Sequence, residues 1–249
     1  MTVWRLEIAR LWRTRRLVAL LGVFLVLGFG EPVLTYYLPQ LVNGETNGIK
    51  IVIPPATPAQ ALKGFSQNAA QLGILVVVIV AAASVALDAR PALASFYRTR
   101  IRCPSLLILP RATAVAVASV VGLVLGSAAA WYETRVLIGY LSPARLAAGC
   151  GLEALWLVFS VVVVTTWATL VRSVLAVAGW SLATLLVLAL LDSITAVAPW
   201  APTALASGIQ DLLPGGGGVP WRAVAVTAAA TALLLAVATR LARSRRSDR

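Results

Sequence analysis

The stretch LAAGCGLEALWLVFSVVVVTTWATLV-RS-VLAVAGWSLATLLVLALL, residues 146–191, holds two long apolar runs that only Arg172 and Ser173 separate. Each run is long enough for a membrane-spanning helix, because about 20 residues at about 1.5 Å each cross a hydrocarbon core of about 30 Å. The pattern therefore predicts two spanning helices joined by a tight turn.

The rest of the chain has the same apolar character. Of its 249 residues, 60% are hydrophobic and 12% are charged, whereas a typical soluble domain has about 25% charged residues. A transmembrane β-barrel would show alternating segments of about 10 residues, and the sequence has none. The composition thus argues against the water-soluble classes and predicts an all-α polytopic membrane protein.

Six apolar runs predict six spans. Glu31-Pro32 should break or kink the first of them near its far end, since proline removes a helix hydrogen bond. Segment 40–68 is rich in Gly, Pro and Asn, so it is expected to be an ordered loop with short helical turns, and 131–145 to be a short return. The predicted spans are residues 17–38, 69–87, 112–131, 146–171, 174–191 and 221–241.

The basic residues give the orientation. With six spans both termini lie on one side, and sixteen of the 21 Arg and Lys residues fall on that side. Because short cytoplasmic loops carry the excess of Arg and Lys, both ends are predicted to lie in the cytoplasm, including a basic tail at 242–249. The net charge of +12 is therefore assigned to membrane lipids, and no nucleic-acid partner is expected.

The first sixteen residues, MTVWRLEIARLWRTRR, are too polar to span a membrane. On a helix the apolar residues would share one broad side and the arginines would lie mostly on the other, which is typical of a helix in the headgroup layer. The alternative is the charged beginning of a signal peptide. The predicted membrane-interface residues are Trp4, Arg5, Ile8, Leu11, Trp12 and Arg13.

Several kinds of chemistry lack the residues they need. The sequence has no histidine and two cysteines, Cys103 and Cys150, which excludes Cys/His zinc motifs and a histidine general base. The glycine run 215–218 is not followed by Lys-Ser/Thr, so it is interpreted as a flexible linker rather than a phosphate loop. No metal site, resident cofactor or catalytic residue is predicted.

A cluster of arginines follows span 2, in the segment PALASFYRTRIR of residues 91–102. It has two interpretations: a signal that only sets the topology, or a short amphipathic helix that docks on another protein. A proline suits the first turn of a helix, and Pro104 would end it. On such a helix Leu93, Phe96, Tyr97 and Ile101 share one face, and Arg98 and Arg102 project together from another.

The order of these features resembles the permease subunit of ABC-2-type transporters. The resemblance rests on the N-terminal interfacial helix, Glu31-Pro32, the P-x-x-x-A and Q-N motifs before span 2, and the basic segment before span 3. It implies a coupling helix at 91–102 that fits into a cleft of a separate ATPase, although the Gly-Thr pair frequent in that family is absent. The residues implied are Leu93, Phe96, Tyr97, Arg98, Arg100, Ile101 and Arg102.

The resemblance has further consequences. It implies two permease copies with two ATPase subunits, and the ATPase subunits bind the ATP and Mg²⁺. It also implies short re-entrant helices between spans 5 and 6. One of these would be PTALASGIQDLL, which starts at Pro202 and places Leu205, Ile209 and Leu212 on one face. The acidic candidates for a substrate path are Glu31, Glu133, Glu153 and Asp192, with Glu31 expected to lie deepest. For each, the alternative is a solvated carboxylate at the interface.

Three functions follow. The first is a permease subunit that exports an amphiphilic or lipid-like substrate through a bacterial plasma membrane. The second is an accessory or sensor protein with a permease-like fold. The third, an integral-membrane lipid-modifying enzyme, fits less well because the cytoplasmic acids Glu7, Asp88 and Asp248 are too scattered for a metal site.

Overall fold

The computed structural model describes residues 3–42, 44–46, 49–51, 55–86, 105–213 and 217–244. Six of its helices are long and apolar enough to cross a membrane, which confirms the all-α polytopic fold. The end of the bundle that holds both chain termini is called the near side, and the opposite end the far side. The spans are Arg16–Val42, Pro58–Val85, Ser105–Leu137, Pro143–Leu170, Val174–Asp192 and Trp221–Ser244.

Span 1 does not break at Glu31-Pro32, so the predicted break is wrong, and the alternative of a kink stays a prediction. The helix continues from Arg16 to Val42 with Pro32 and Pro39 inside it. A membrane helix tolerates an internal proline when neighbouring groups satisfy the backbone that it leaves free. Pro32 is buried, and span 1 packs most extensively on span 3.

Span 2 begins eleven residues earlier than the apolar run suggests. Thr57 caps the helix Pro58–Asn68 through a capping box with Gln60, and Pro58 occupies its first turn. A π-helical turn, Ala69–Gly73, joins this helix to Ile74–Val85. The segment 40–68, predicted to be a loop, is thus partly helix. Within this segment, ahead of the helix, two short strands, β1 (Gly44–Thr46) and β2 (Ile49–Ile51), pair antiparallel with each other.

Span 3 is also longer than predicted, at both ends. It covers Ser105–Leu137 and includes Pro110, so most of the return predicted at 131–145 is helical. Its 33 residues measure about 50 Å at about 1.5 Å each, more than the hydrocarbon core, so span 3 extends beyond the membrane. The indole nitrogen of Trp131 donates to the carbonyl of Leu141 at 2.9 Å and closes the shorter return.

The segment between spans 5 and 6 agrees in part with the expected pair of short helices. Its first half contains turns and one 3-10 turn, Ala198–Trp200, instead of a helix. Its second half starts at Pro202 as predicted, with a 3-10 helix Pro202–Ser207 and an α-helical turn Gly208–Asp211. We call Pro202–Asp211 the cap segment. Leu205 and Ile209 are fully buried, because the cap segment packs on span 4.

The N-terminal helix, Val3–Arg13, is separate from span 1. Arg15, with φ of +57°, lies in the turn between them. Leu11 is buried against the bundle, whereas Ile8 and Trp12 are 56% and 64% exposed. The predicted apolar face is therefore divided: Leu11 contacts protein and Ile8 and Trp12 point outward, where exposed Arg5 and Arg13 also lie. Trp4 belongs to the same helix.

Spans 1 and 3 touch through glycines. A Cβ atom on Gly126 would lie 2.5 Å from the carbonyl oxygen of Phe24, and one on Gly28 would overlap the carbonyl of Gly126. Gly122 also leaves room for the ring of Phe24, which is fully buried. Small residues four apart allow two membrane helices to approach closely and gain packing energy.

We expect Gly28→Ala to lower the free energy of unfolding by about 1–3 kcal/mol, because its methyl group would force the two backbones apart. Gly22→Ala is the matched control: it lies in the same helix and has no heavy atom within 4 Å of its added Cβ. Thermal unfolding of the purified protein in detergent measures both. Equal melting temperatures for the two variants would contradict the packing described.

Candidate functional site

The residues predicted to dock an ATPase lie outside the described part of the chain. These are Leu93, Phe96, Tyr97, Arg98, Arg100, Ile101 and Arg102, all within residues 87–104, which connect spans 2 and 3 in the sequence. The predicted acidic candidates on the far side are described, and one of them lies at the centre of a buried polar cluster.

Glu153 is the most deeply placed of these acids. Its side chain in span 4 is 4% exposed, whereas Glu31, Glu133 and Asp192 are half-buried. The expectation that Glu31 lies deepest is therefore wrong: it depended on a helix break at Glu31-Pro32, and span 1 does not break there.

The carboxylate of Glu153 connects three segments of the chain. Ser66 of span 2 donates its hydroxyl to Glu153 Oε1, and the backbone N–H of Ile209 in the cap segment donates to the same oxygen at 3.1 Å. Gln210 Nε2 donates to Ser66 Oγ at 3.4 Å. A buried carboxylate is stable only when such donors compensate for the water it has lost. We call these four residues the Glu153 cluster.

Two glycines let the cap segment come this close to span 4. A Cβ on Gly149 would lie 2.5 Å from the Cα of Ile209, and one on Gly208 would lie 2.6 Å from the Cβ of Leu152. Any larger residue at either position would move the Ile209 N–H away from Glu153. Gly149 and Gly208 therefore position the donor, although neither residue was predicted to belong to the site.

The other predicted acids, Glu31, Glu133 and Asp192, do not belong to the Glu153 cluster. Asn68 donates its amide to Glu31 Oε1 at 2.5 Å, two residues after Ser66 on span 2. Asp192 affects Asp211 of the cap segment only through its charge. Of the four predicted acids, Glu153 is therefore the one for which the described residues show a hydrogen bond to the cap segment.

Asp211 has a perturbed carboxyl group. Burial raises its pKa above the usual value, and the negative charge of Asp192 raises the pKa further, while the hydrogen bond from Ser207 at 3.0 Å opposes the rise. Because the fold disfavours ionised Asp211, its contribution to stability is complete below the unfolded pKa of about 3.9 and is lost as pH rises through the raised value.

We expect Asp211→Asn to remove this pH dependence. The stability of the wild type relative to the variant should decrease as pH rises from 4 to 8, because only the wild type must ionise Asp211 in the fold. Thermal unfolding across that range measures the difference. A difference that stays constant with pH, or grows in favour of the wild type, would show that burial does not disfavour the charge.

A second polar cluster lies at the near side. Arg111, only 3% exposed, donates Nε to Glu7 Oε1 at 2.9 Å, and Arg10 donates to Glu7 Oε2 at 3.3 Å. Arg16 at the start of span 1 donates to Ser84 Oγ at 3.1 Å. The sequence analysis had treated Glu7 as one of three scattered cytoplasmic acids and Arg111 as one of the sixteen basic residues on that side. Their separation of 104 positions leaves no local signal for the pair.

We expect Arg111→Ala to lower the free energy of unfolding by about 3–5 kcal/mol, since it leaves Glu7 without its buried partner. Arg10→Ala is the matched control, because Arg10 contacts the same carboxylate but is 30% exposed, and its loss should cost less than about 1 kcal/mol. Thermal unfolding of the two purified variants measures both losses of stability. A similar loss in the two variants would mean that burial of the Arg111 pair contributes nothing.

Among the described residues no three His, Cys, Asp or Glu side chains come together as a metal site would require.

No family model matches the chain. The chain is similar to an uncharacterized transmembrane protein of Bacillus subtilis strain 168, YxlG, with 25% identity over 171 residues. The match covers 68% of this chain and 66% of that protein, slightly less than two thirds of its length. It supports a multi-span membrane protein.

Proposed function

We propose that this protein is the permease subunit of an ATP-binding-cassette transporter of the ABC-2 type, located in a bacterial plasma membrane. A separate ATPase subunit would dock on the near-side loop between spans 2 and 3, in the cytoplasm. The cargo would be an amphiphilic or lipid-like molecule that moves outward. ATP and Mg²⁺ would bind to the partner, since this chain has no Walker A sequence.

The arrangement of spans and charges supports this proposal. An even number of spans returns both termini to one side, and that side carries sixteen of the 21 basic residues. The near-side connection between spans 4 and 5 consists only of Val171–Ser173, whereas the connection between spans 2 and 3 consists of residues 86–104. The longer connection contains the cluster Arg98, Arg100 and Arg102 and is the longer of the two near-side connections between consecutive spans.

One observation carries the proposal furthest: polar contacts hold both described ends of this loop. Just before the loop, Ser84 accepts a hydrogen bond from Arg16 of span 1. Just after it, Arg111 forms its buried ion pair with Glu7 of the N-terminal helix. A force applied to the loop would therefore reach spans 1, 2 and 3 and the N-terminal helix together, as a coupling element requires.

The two-copy arrangement belongs to the same proposal. Spans 1, 5 and 6 are the least enclosed by their own chain, so their apolar faces are available to lipid and to a second copy of the permease. A homodimer with two ATPase subunits would then place the substrate path between the two copies.

The decisive experiment is purification of the affinity-tagged full-length chain from its native membranes. We expect a protein with a Walker A sequence to co-purify and to hydrolyse ATP. The double variant Phe96→Ala/Arg100→Glu should insert into the membrane normally but lose at least about tenfold of this ATPase, because the docking face would lose an aromatic anchor and reverse one charge.

The matched control is Arg222→Glu, which reverses a charge on the far side, where Arg222 lies over the ring of Trp200 at 5.3 Å. It should retain the ATPase. Recovery of the chain alone would contradict the permease assignment and favour an accessory or sensor protein. Equal retention of the ATPase by both variants would show that docking does not involve residues 91–102.

A further inference from the structure

A single carboxylate oxygen in span 4 links span 2 to the cap segment. Glu153 Oε1 accepts from Ser66 of span 2 and from the backbone N–H of Ile209 in the cap segment. A carboxylate that moved away would leave the Ile209 N–H buried without an acceptor, which is costly. The position of the Glu153 side chain therefore decides whether the cap segment is fastened to spans 2 and 4.

A third possible donor for the same carboxylate is the indole N–H of Trp156, which lines a cavity together with Glu153. Trp156 Nε1 is buried and makes no hydrogen bond to any residue that the structure describes, and the whole residue is 6% exposed. It follows Glu153 by three positions on span 4, so the two side chains occupy neighbouring places on one helix face. Stacking on Phe159, with ring centroids 5.6 Å apart, holds the indole in place.

Both residues border one small cavity. Glu153 and Trp156 line a space of about 10 Å³ together with Phe24, Ala69, Ala70 and Ala206. Ala69 and Ala70 belong to the π-helical turn of span 2, and π-helical turns inside α-helices occur frequently at functional sites. The cavity is about large enough for one water molecule, so a carboxylate that turned into it would leave Ser66, and Ala206 places the cap segment at its wall.

We propose that Glu153 is a two-position switch. In the position observed here, its carboxylate binds Ser66 and the Ile209 N–H and fastens the cap segment. In the other position it rotates across the cavity and accepts from Trp156 Nε1, which releases the cap segment from spans 2 and 4. The switch itself does not depend on the proposed transport function. Its role does: in a transporter, release of the cap segment would open the far-side end of the transport path.

Hydrogen–deuterium exchange of peptides covering 202–213 tests the switch without any ATPase or substrate. The sample is the full-length protein in nanodiscs of phosphatidylethanolamine and phosphatidylglycerol. Ser66→Ala should accelerate exchange by about tenfold, because it removes one hydrogen bond to the Glu153 side chain in the fastened position. Trp156→Phe should slow exchange by about two- to tenfold, because it removes the donor of the released position.

The matched control is Trp167→Phe, in the same helix. The indole of Trp167 donates to Thr184 at 2.9 Å and does not border the cavity, so exchange at 202–213 should stay unchanged. Unchanged or faster exchange in Trp156→Phe would overturn the switch, as would slower exchange in both tryptophan variants.

A further measurement leaves Trp156 intact. In the Ser66→Ala variant labelled with ¹⁵N-tryptophan, the indole N–H resonance of Trp156 should move downfield as it gains a carboxylate acceptor. A resonance that does not move would overturn the switch even if a Trp156 variant failed to fold. If the exchange and the resonance respond as expected while no ATPase co-purifies, the switch stands and the permease assignment fails. The reverse pattern would retain the permease and reject the switch.

Discussion

The close contact between spans 1 and 3 is the constraint on which the rest of the structure depends. Inside a bilayer, apolar side chains gain nothing by leaving lipid for protein, so helix association depends on tight packing and on hydrogen bonds. Gly28 and Gly126 bring two backbones together, and Phe24 fits against Gly122 and Gly126. This pair forms the base on which the N-terminal helix and span 2 pack.

The two polar clusters then connect elements that packing alone leaves free to slide. At the near side, Glu7 joins the N-terminal helix to span 3 through Arg111. At the far side, Glu153 joins span 4 to span 2 and to the cap segment. Charged groups in an apolar bundle are costly unless they are paired, so each cluster has few alternative arrangements. In the proposed transporter the near-side cluster would receive force and the far-side cluster would respond to it.

Much of the fold could be read from local patterns. Six apolar runs predicted six spans, and the ends of spans 4, 5 and 6 agree with the helices to within a few residues. Where the prediction failed, polarity was the cause: Pro58–Asn68 and the end of span 3 are helices that extend beyond the hydrocarbon core, so their composition is that of a loop. Thr57, Pro58 and Gln60 do carry a helix-start signal, and it was available in the sequence.

The sequence by itself determined the class of protein, the number of spans and the side on which the basic residues collect, because hydrophobic length and charge act residue by residue. Only the tertiary structure decided which acid is buried. Glu31 and Glu153 both lie beside apolar residues, but Glu153 alone meets the Ile209 N–H, 56 positions away. That contact exists because Gly149 and Gly208 admit the cap segment against span 4, and such an approach depends on how the helices pack in three dimensions.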